Sequence, residues 1–218
     1  MIVPTAQSHT DQQSAVRLLA AICAAATPVD NVELGDDVVG VLQAQSRLQA
    51  LDFWIRYPDY LANELLDEFE KSGSMDDLEL VRRIFEDREP DLRCVPMIRY
   101  HFGAFEPLHN PLAILRSRDL VRQHRHGEPG HVRDTWYLLT KAGREAMEKL
   151  ADAADELAWY RDRAEVAARV AGAAGGAALK DRQYLQTEYK ATPLKETIPP
   201  IADRVRVRLA ELSKGTPK

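Results

Sequence analysis

PLHNPLAILRSRDLVRQHRHGEPGHVRDTWYLLTKAGREAMEK, running from Pro107 to Lys149, decides how this chain is read. Pro107 opens a segment with Leu108, Leu112 and Leu115 at helical spacing, and the pattern ends where Arg118-Asp119 gives way to Leu120-Val121. Gly-Glu-Pro-Gly (127–130) is a turn signal between two short arms. WYLLT is apolar and β-prone, and Thr140 followed by KAG predicts a capped helix through Thr-x-x-Gly. The order is helix, hairpin with a basic tip, helix.

That order is the order of a winged helix: recognition helix, two-stranded wing, closing helix. Outward from it the pattern is mainly helical. Asp11–Ala26 is Ala- and Leu-rich, with Val16, Leu19, Ala20 and Cys23 on one face, and Thr27-Pro28 ends it. Asp36 or Asp37 is expected to cap a longer helix reaching Tyr57, striped by Val41, Leu42, Leu48, Leu51 and Ile55. Pro58 starts another helix that Ser72-Gly73 closes. Ser74 and Asp77, a capping-box relative, lead into a fourth that Pro90 ends. Pro96–Phe105 carries aromatic and β-branched residues without helical period. It reads as a strand or extended segment, placed to join the wing as a third strand. After Thr140 a long helix is expected to at least Tyr160, with Gly172 and Gly175-Gly176 as breaks. Another helix over Ala177–Tyr189, a proline-rich loop and an amphipathic helix with Ile201, Val205, Leu209 and Leu212 complete the chain.

The fold class expected is therefore mainly α with a small antiparallel β wing, a winged helix-turn-helix with helical N- and C-terminal extensions. Its parts are a polar arm and short helix (1–38), a winged-helix domain (39–160) and a helical extension (161–218). The 218 residues, 45% hydrophobic and 29% charged, suffice for a real core without metals or disulfides. Cys23 and Cys94 stand outside any metal or redox spacing and are expected as buried, reduced thiols of a cytoplasmic protein. The first residues lack the basic and apolar regions of a signal peptide, and no apolar run approaches a membrane span.

A net charge of −5 means that contact with nucleic acid needs a local patch. Arg116, Arg118, Arg122, Arg125 and Arg133 supply one around the hairpin, with Asp119 the only acid among the first four and His124, His126 and His131 interleaved. Guanidinium groups on a thin hairpin suit the phosphate backbone of double-stranded DNA. The opposing reading is a solvated hairpin in a domain that contacts protein. His124 and His126 share one strand face, but no cysteine or acid completes a metal site, so neither metal nor cofactor is expected. No P-loop, nucleophile elbow or His-Glu-x-x-His is present, so no enzyme is expected. Acids such as Asp76 and Asp77 suit a helix start, and Trp54, Tyr57 and Tyr60 suit junction packing.

Four passages taken together carry a more particular likeness: RLQALDFWIRYPDYL (Arg47–Leu61), PMIRYHFGAFEPLHNPLAILRSRDLV (Pro96–Val121), WYLLTKAGREAME (Trp136–Glu148) and AALKDRQYL (Ala177–Leu185). In this order they resemble the middle-component proteins of ABC-three-component bacterial defence systems, with Lamassu-type antiphage systems a related set. Asp52-Phe53 before RYP and MIRY-x-x-G are the more specific elements; Ala104-Phe105 stands where that pattern has Pro-Trp. The resemblance covers about residues 40–190. It implies a non-catalytic accessory subunit docked on an SMC-like ATPase and holding an effector in an antiviral complex, alone or as a homodimer. A dimeric winged-helix transcriptional regulator, with the long helix after Thr140 as its seam, is the competing expectation. The amphipathic extensions at Val16/Leu19/Cys23 and Ile201/Val205/Leu209 either cover a partner or pack on the domain itself.

Overall fold

The structure is a computed structural model that describes residues 10–29, 34–101, 103–128 and 131–214, with only the backbone for 127, 128 and 131–133. The expected arm before residue 10 lies outside the described residues. The chain is mainly helical with a small antiparallel sheet.

Helix α1 (Asp11–Ala25) starts at a capping box: Thr10 Oγ1 accepts from Gln13 N, and the Gln13 side chain returns to Thr10 N. It lies among α2 (Gln45–Arg56), α6 (His109–Ser117), α7 (Lys141–Ala153) and α8 (Asp155–Ala171). Leu18, Leu19, Ala20, Ala21 and Ile22 are all buried, so α1 is apolar nearly all round because it is surrounded. One hydrophobic core runs from α1 to Ile201 and Val205 in α11 (Ala202–Lys214). Leu19, Ile201 and Val205 are thus covered by the chain itself, and Val16, Cys23 and Leu209 are partly covered.

Two expectations along the first half are corrected. The helix predicted from Asp36 or Asp37 to Tyr57 is a strand, β2 (Val38–Gln43), followed by α2. The run VVGVL is β-branched, pairs along β6 (His131–Thr140), and is separated from α2 by Ala44 at φ 73°. The sheet order is β1 (Thr27–Pro28), β2, β6, β5 (Val121–Glu128). The third strand beside the wing is therefore β2. Residues 98–105 form their own hairpin, β3 (Ile98–Tyr100) and β4 (Gly103–Phe105).

Helices α3 (Pro58–Ser72) and α4 (Met75–Glu86) fall as expected, with Gly73 left-handed at the end of α3. Ser74 makes no side-chain cap, and α4 stops at Glu86, before Pro90, which sits in the short α5 (Glu89–Leu92). The long helix after Thr140 is two helices. Ala154 is extended (φ −162°, ψ 139°), and α8 folds back to bury Ala164, Ala167 and Ala171 beside α1. A straight dimer seam from Thr140 to Tyr160 is thereby lost. The helix expected over 177–189 is likewise broken at Gln186 into α9 (Gly176–Leu185) and α10 (Thr187–Ala191).

The segment Arg56-Tyr57-Pro58-Asp59-Tyr60 is the seam of the molecule. Arg56 Nε and Nη2 donate to the Val95 and Pro96 carbonyls at 3.0 and 2.7 Å. Tyr57 Oη accepts from Met97 N at 3.0 Å and donates to Ile198 O at 2.9 Å. Tyr60 Oη donates to Pro199 O at 3.0 Å. Asp59 Oδ2 accepts from Ile201 N at 2.5 Å, capping α11 from another helix. The strap 195–198 runs antiparallel to 97–99, with Ile198 N on Met97 O at 3.0 Å and Lys195 N on Arg99 O at 2.7 Å. The tyrosines are thus junction residues, the Tyr57 hydroxyl both accepting and donating and the Tyr60 hydroxyl donating.

Above this seam Asp52, wholly buried, faces two buried arginines. Arg17 Nε donates to Oδ1 at 2.5 Å, and Arg56 Nη1 lies 3.4 Å from Oδ2. Arg56 also pairs with Glu106, whose backbone is held by the Gln49 amide through bonds of 2.6 and 3.2 Å. Burial works to lower the pKa of Arg17, but the Asp52 carboxylate outweighs it and leaves it raised. The cluster balances two cations with two anions.

Asp52→Asn leaves the buried Arg17 guanidinium without its counter-charge, while Arg56 keeps Glu106, and should lower unfolding free energy by about 3 kcal/mol in urea denaturation. A loss below about 1 kcal/mol would show that Asp52 is not that counter-charge. Burial pushes the Asp59 carboxyl up to about 6, against the pull of the backbone N–H groups at Ile201 and Tyr60. Its contribution to stability is then full below its unfolded value and is lost as pH rises through about 6. A 13C carboxyl titration should place its midpoint near there; a midpoint below 4 contradicts this.

Candidate functional site

The β5–β6 hairpin is built from its base. Thr140 Oγ1 accepts from Gly143 N at 3.0 Å and donates to Asp119 O at 2.7 Å, so one hydroxyl caps α7 and holds the turn between α6 and β5. Gly143 packs against that turn: a Cβ there would stand 2.1 Å from the Leu120 carbonyl oxygen. The expected Thr-x-x-Gly cap is present, and its glycine is required by close approach. Asp119 at φ 51° turns the chain into β5.

The two arms pair from Val121↔Leu139 to Glu128↔His131, with a register shift between His126 and Gly127. Cross-strand partners share a face. Val121, Tyr137 and Leu139 are fully buried on the core face. Farther out, the same face carries Gln123 and Arg125, both exposed. The opposite face carries Arg122, His124 and His126 opposite Leu138, Trp136 and Asp134. His126 stacks on Trp136 with ring centroids 4.7 Å apart and planes 9° from parallel; His124 lies at 6.2 Å.

This alternation divides the basic patch that looked continuous in the sequence. Arg122 is committed to structure. Its Nη1 and Nη2 form a fork on the Asp37 carboxylate at 2.8 and 2.6 Å, and its Nε and Nη2 reach Asp119 at 2.7 and 2.5 Å. Its hydrogen bonds hold both carboxyls below the usual range, and its own pKa is raised by them. Asp37, expected as a helix cap, is instead the acid that ties β2 to the wing. Its backbone carbonyl accepts from Lys141 N at 2.8 Å.

Arg116 reaches Gln123 Oε1 at 3.4 Å and is otherwise exposed, on the side of the wing that bears Arg125. Arg125 has no side-chain partner among the described residues. Arg118 stands at the end of α6 and lines a groove with α1 and α7. The Arg133 and His131 side chains lie outside the described residues. In the first turn of α6, Asn110 Nδ2 donates to Asp11 at 3.2 Å. Among the described residues no three His, Cys, Asp or Glu side chains are grouped to hold a metal. Cys23 and Cys94 are free, and burial pushes each thiol up to about 12, so neither is a thiolate at neutral pH. No described helix is long and apolar enough to cross a membrane.

The arrangement offers contacts in two directions: Arg116 and Arg125 on one face of the hairpin, and a Trp-His plate on the other. Comparison with known families, with curated proteins and with solved structures returns no match for this chain.

Arg122→Gln leaves Asp37 and Asp119 without their shared cation, whereas Arg125→Gln removes no internal bond. Thermal melting should fall by a few degrees for the first and stay unchanged for the second. Equal melting temperatures would mean that Arg122 is not a structural latch.

Proposed function

We propose that α6, the β5–β6 hairpin and α7 form a winged helix that makes contacts and performs no chemistry. The chain is then a non-catalytic accessory subunit, docked on an SMC-like ABC ATPase beside an effector in a bacterial antiviral complex. The observation that carries the winged-helix reading is the hairpin itself. Its root is anchored by the Thr140 hydroxyl and by buried Val121, Tyr137 and Leu139, while 123–126 project exposed beyond the core. The defence assignment is supported by the motif resemblance. Of its two more specific elements, Asp52 lies in the buried charge cluster, and Arg99, on a half-buried strand, is bonded to the carbonyls of Lys190 and Thr192.

Contact with double-stranded DNA belongs to this reading in a limited form. Arg122 is neutralised by two acids and Arg118 faces a groove, which leaves Arg116 and Arg125, with Arg133 as a third. Two to three phosphate contacts correspond to a salt slope of about −2 to −3 in log K against log[salt], a weak and non-specific mode. The wing then steadies a complex on DNA and does not select a sequence.

Co-expression of the intact operon should give a stable complex of this chain with a coiled-coil ATPase; recovery of the chain alone overturns the proposal. Within the complex, Arg116→Glu/Arg125→Glu should abolish retention of a DNA duplex at low salt. Unchanged retention removes DNA from the reading and leaves a protein adaptor.

A further inference from the structure

Between α1, α6 and α7 lies an open groove of about 600 Å³. Val16 and Leu19 of α1, Ile114 of α6 and Leu150 of α7 line it with aliphatic side chains, and Arg118 and Lys149 stand at its rim. Arg118 has no ion-pair partner among the described residues, and Lys149 has only Glu145 one turn back at 4.0 Å. The buried and half-buried arginines Arg17, Arg56, Arg122, Arg163 and Arg182 each hold at least one carboxylate. Arg118 and Lys149 therefore stand beside the apolar trough with no carboxylate among the residues that line it.

We propose that this groove binds an apolar organic anion, a single-chain carboxylate of about ten carbons. The methylene chain lies on the part-buried Val16, Ile114 and Leu150, with the buried Leu19 as the floor beneath them, and the carboxylate sits between Arg118 and Lys149. Length favours this occupant over a partner helix. Along α1 the groove extends from Gln12 to Leu19, about 10 Å at helical rise, which matches one short alkyl chain. A stable protein partner needs near 800 Å² on each side, and the neighbouring surface of α1 is already covered by α2 and α8. A volume of this size with an apolar lining and a few polar groups is that of a small-molecule site. The charge at the rim sets the sign of the head group. This assignment is independent of any role of the wing.

Isothermal titration of the full chain with decanoate, below its micellar concentration, tests the assignment against decanol and decyltrimethylammonium. Decanoate should bind one-to-one and at least tenfold tighter than the cation. Arg118→Gln/Lys149→Gln should weaken decanoate about tenfold and leave decanol unchanged. Ala146→Phe, which fills the groove wall, should remove both. Absence of decanoate binding, equal affinity for the anion and the cation, or full binding by Ala146→Phe overturns the proposal. Should the Phe variant fail to fold by circular dichroism, nuclear Overhauser contacts from decanoate methylenes to the Val16 and Leu19 methyl groups decide the matter in the unsubstituted chain. Their absence counts against it.

Discussion

A single buried carboxylate, Asp52, organises the meeting of four parts of this chain. It faces Arg17 on α1 and Arg56 on its own helix. Arg56 in turn holds the Val95 and Pro96 carbonyls and pairs with Glu106 at the entry to α6. Ions without water need both opposite charge and hydrogen bonds, and this cluster provides both on nearly every side. Arg17 Nη1 is the exception: it is buried and lacks a partner. Apolar packing alone would permit α1 and α6 to slide on α2. The charge pairs admit one arrangement.

That arrangement determines where the hairpin points. α6 enters from Glu106, which the Gln49 amide also grips, and ends at the left-handed Asp119. Thr140 and Gly143 then lock the turn after α6 to the start of α7, while Arg122 ties β5 to Asp37 beside β2. The hairpin thus leaves an anchored base, and its outer half, 123–126, projects exposed beyond it. A device of this kind suits positioning against a large partner. The arginine most central to the basic cluster in sequence serves the base of the hairpin.

The same economy is visible on the far side. Tyr57, Asp59 and Tyr60 bind the strap from Ile198 to Ile201, so that the C-terminal helix joins the main core. Amphipathic end segments that might have been spare surface are largely covered. The trough along the first turns of α1, where Val16 is half-buried, stays open.

How much of this was legible in the residues depends on how far apart the deciding partners lie. Helix starts at Pro58 and Thr140, the end at Gly73, the hairpin arms and the mainly helical class follow from side chains within a few positions of each other, because caps, turns and periodicity are local. Strand β2 was not legible: VVGVL becomes a strand only because β6, nearly a hundred residues on, offers its edge. The break at Ala154 carries no proline or glycine and exists because α8 gains burial by turning back on α1. The site shows the same division. The residues alone established that basic groups gather around a hairpin. Only the tertiary structure separated them onto two faces and gave Arg122 to Asp37, 85 positions away, because pleating and charge pairing act through space and not along the chain.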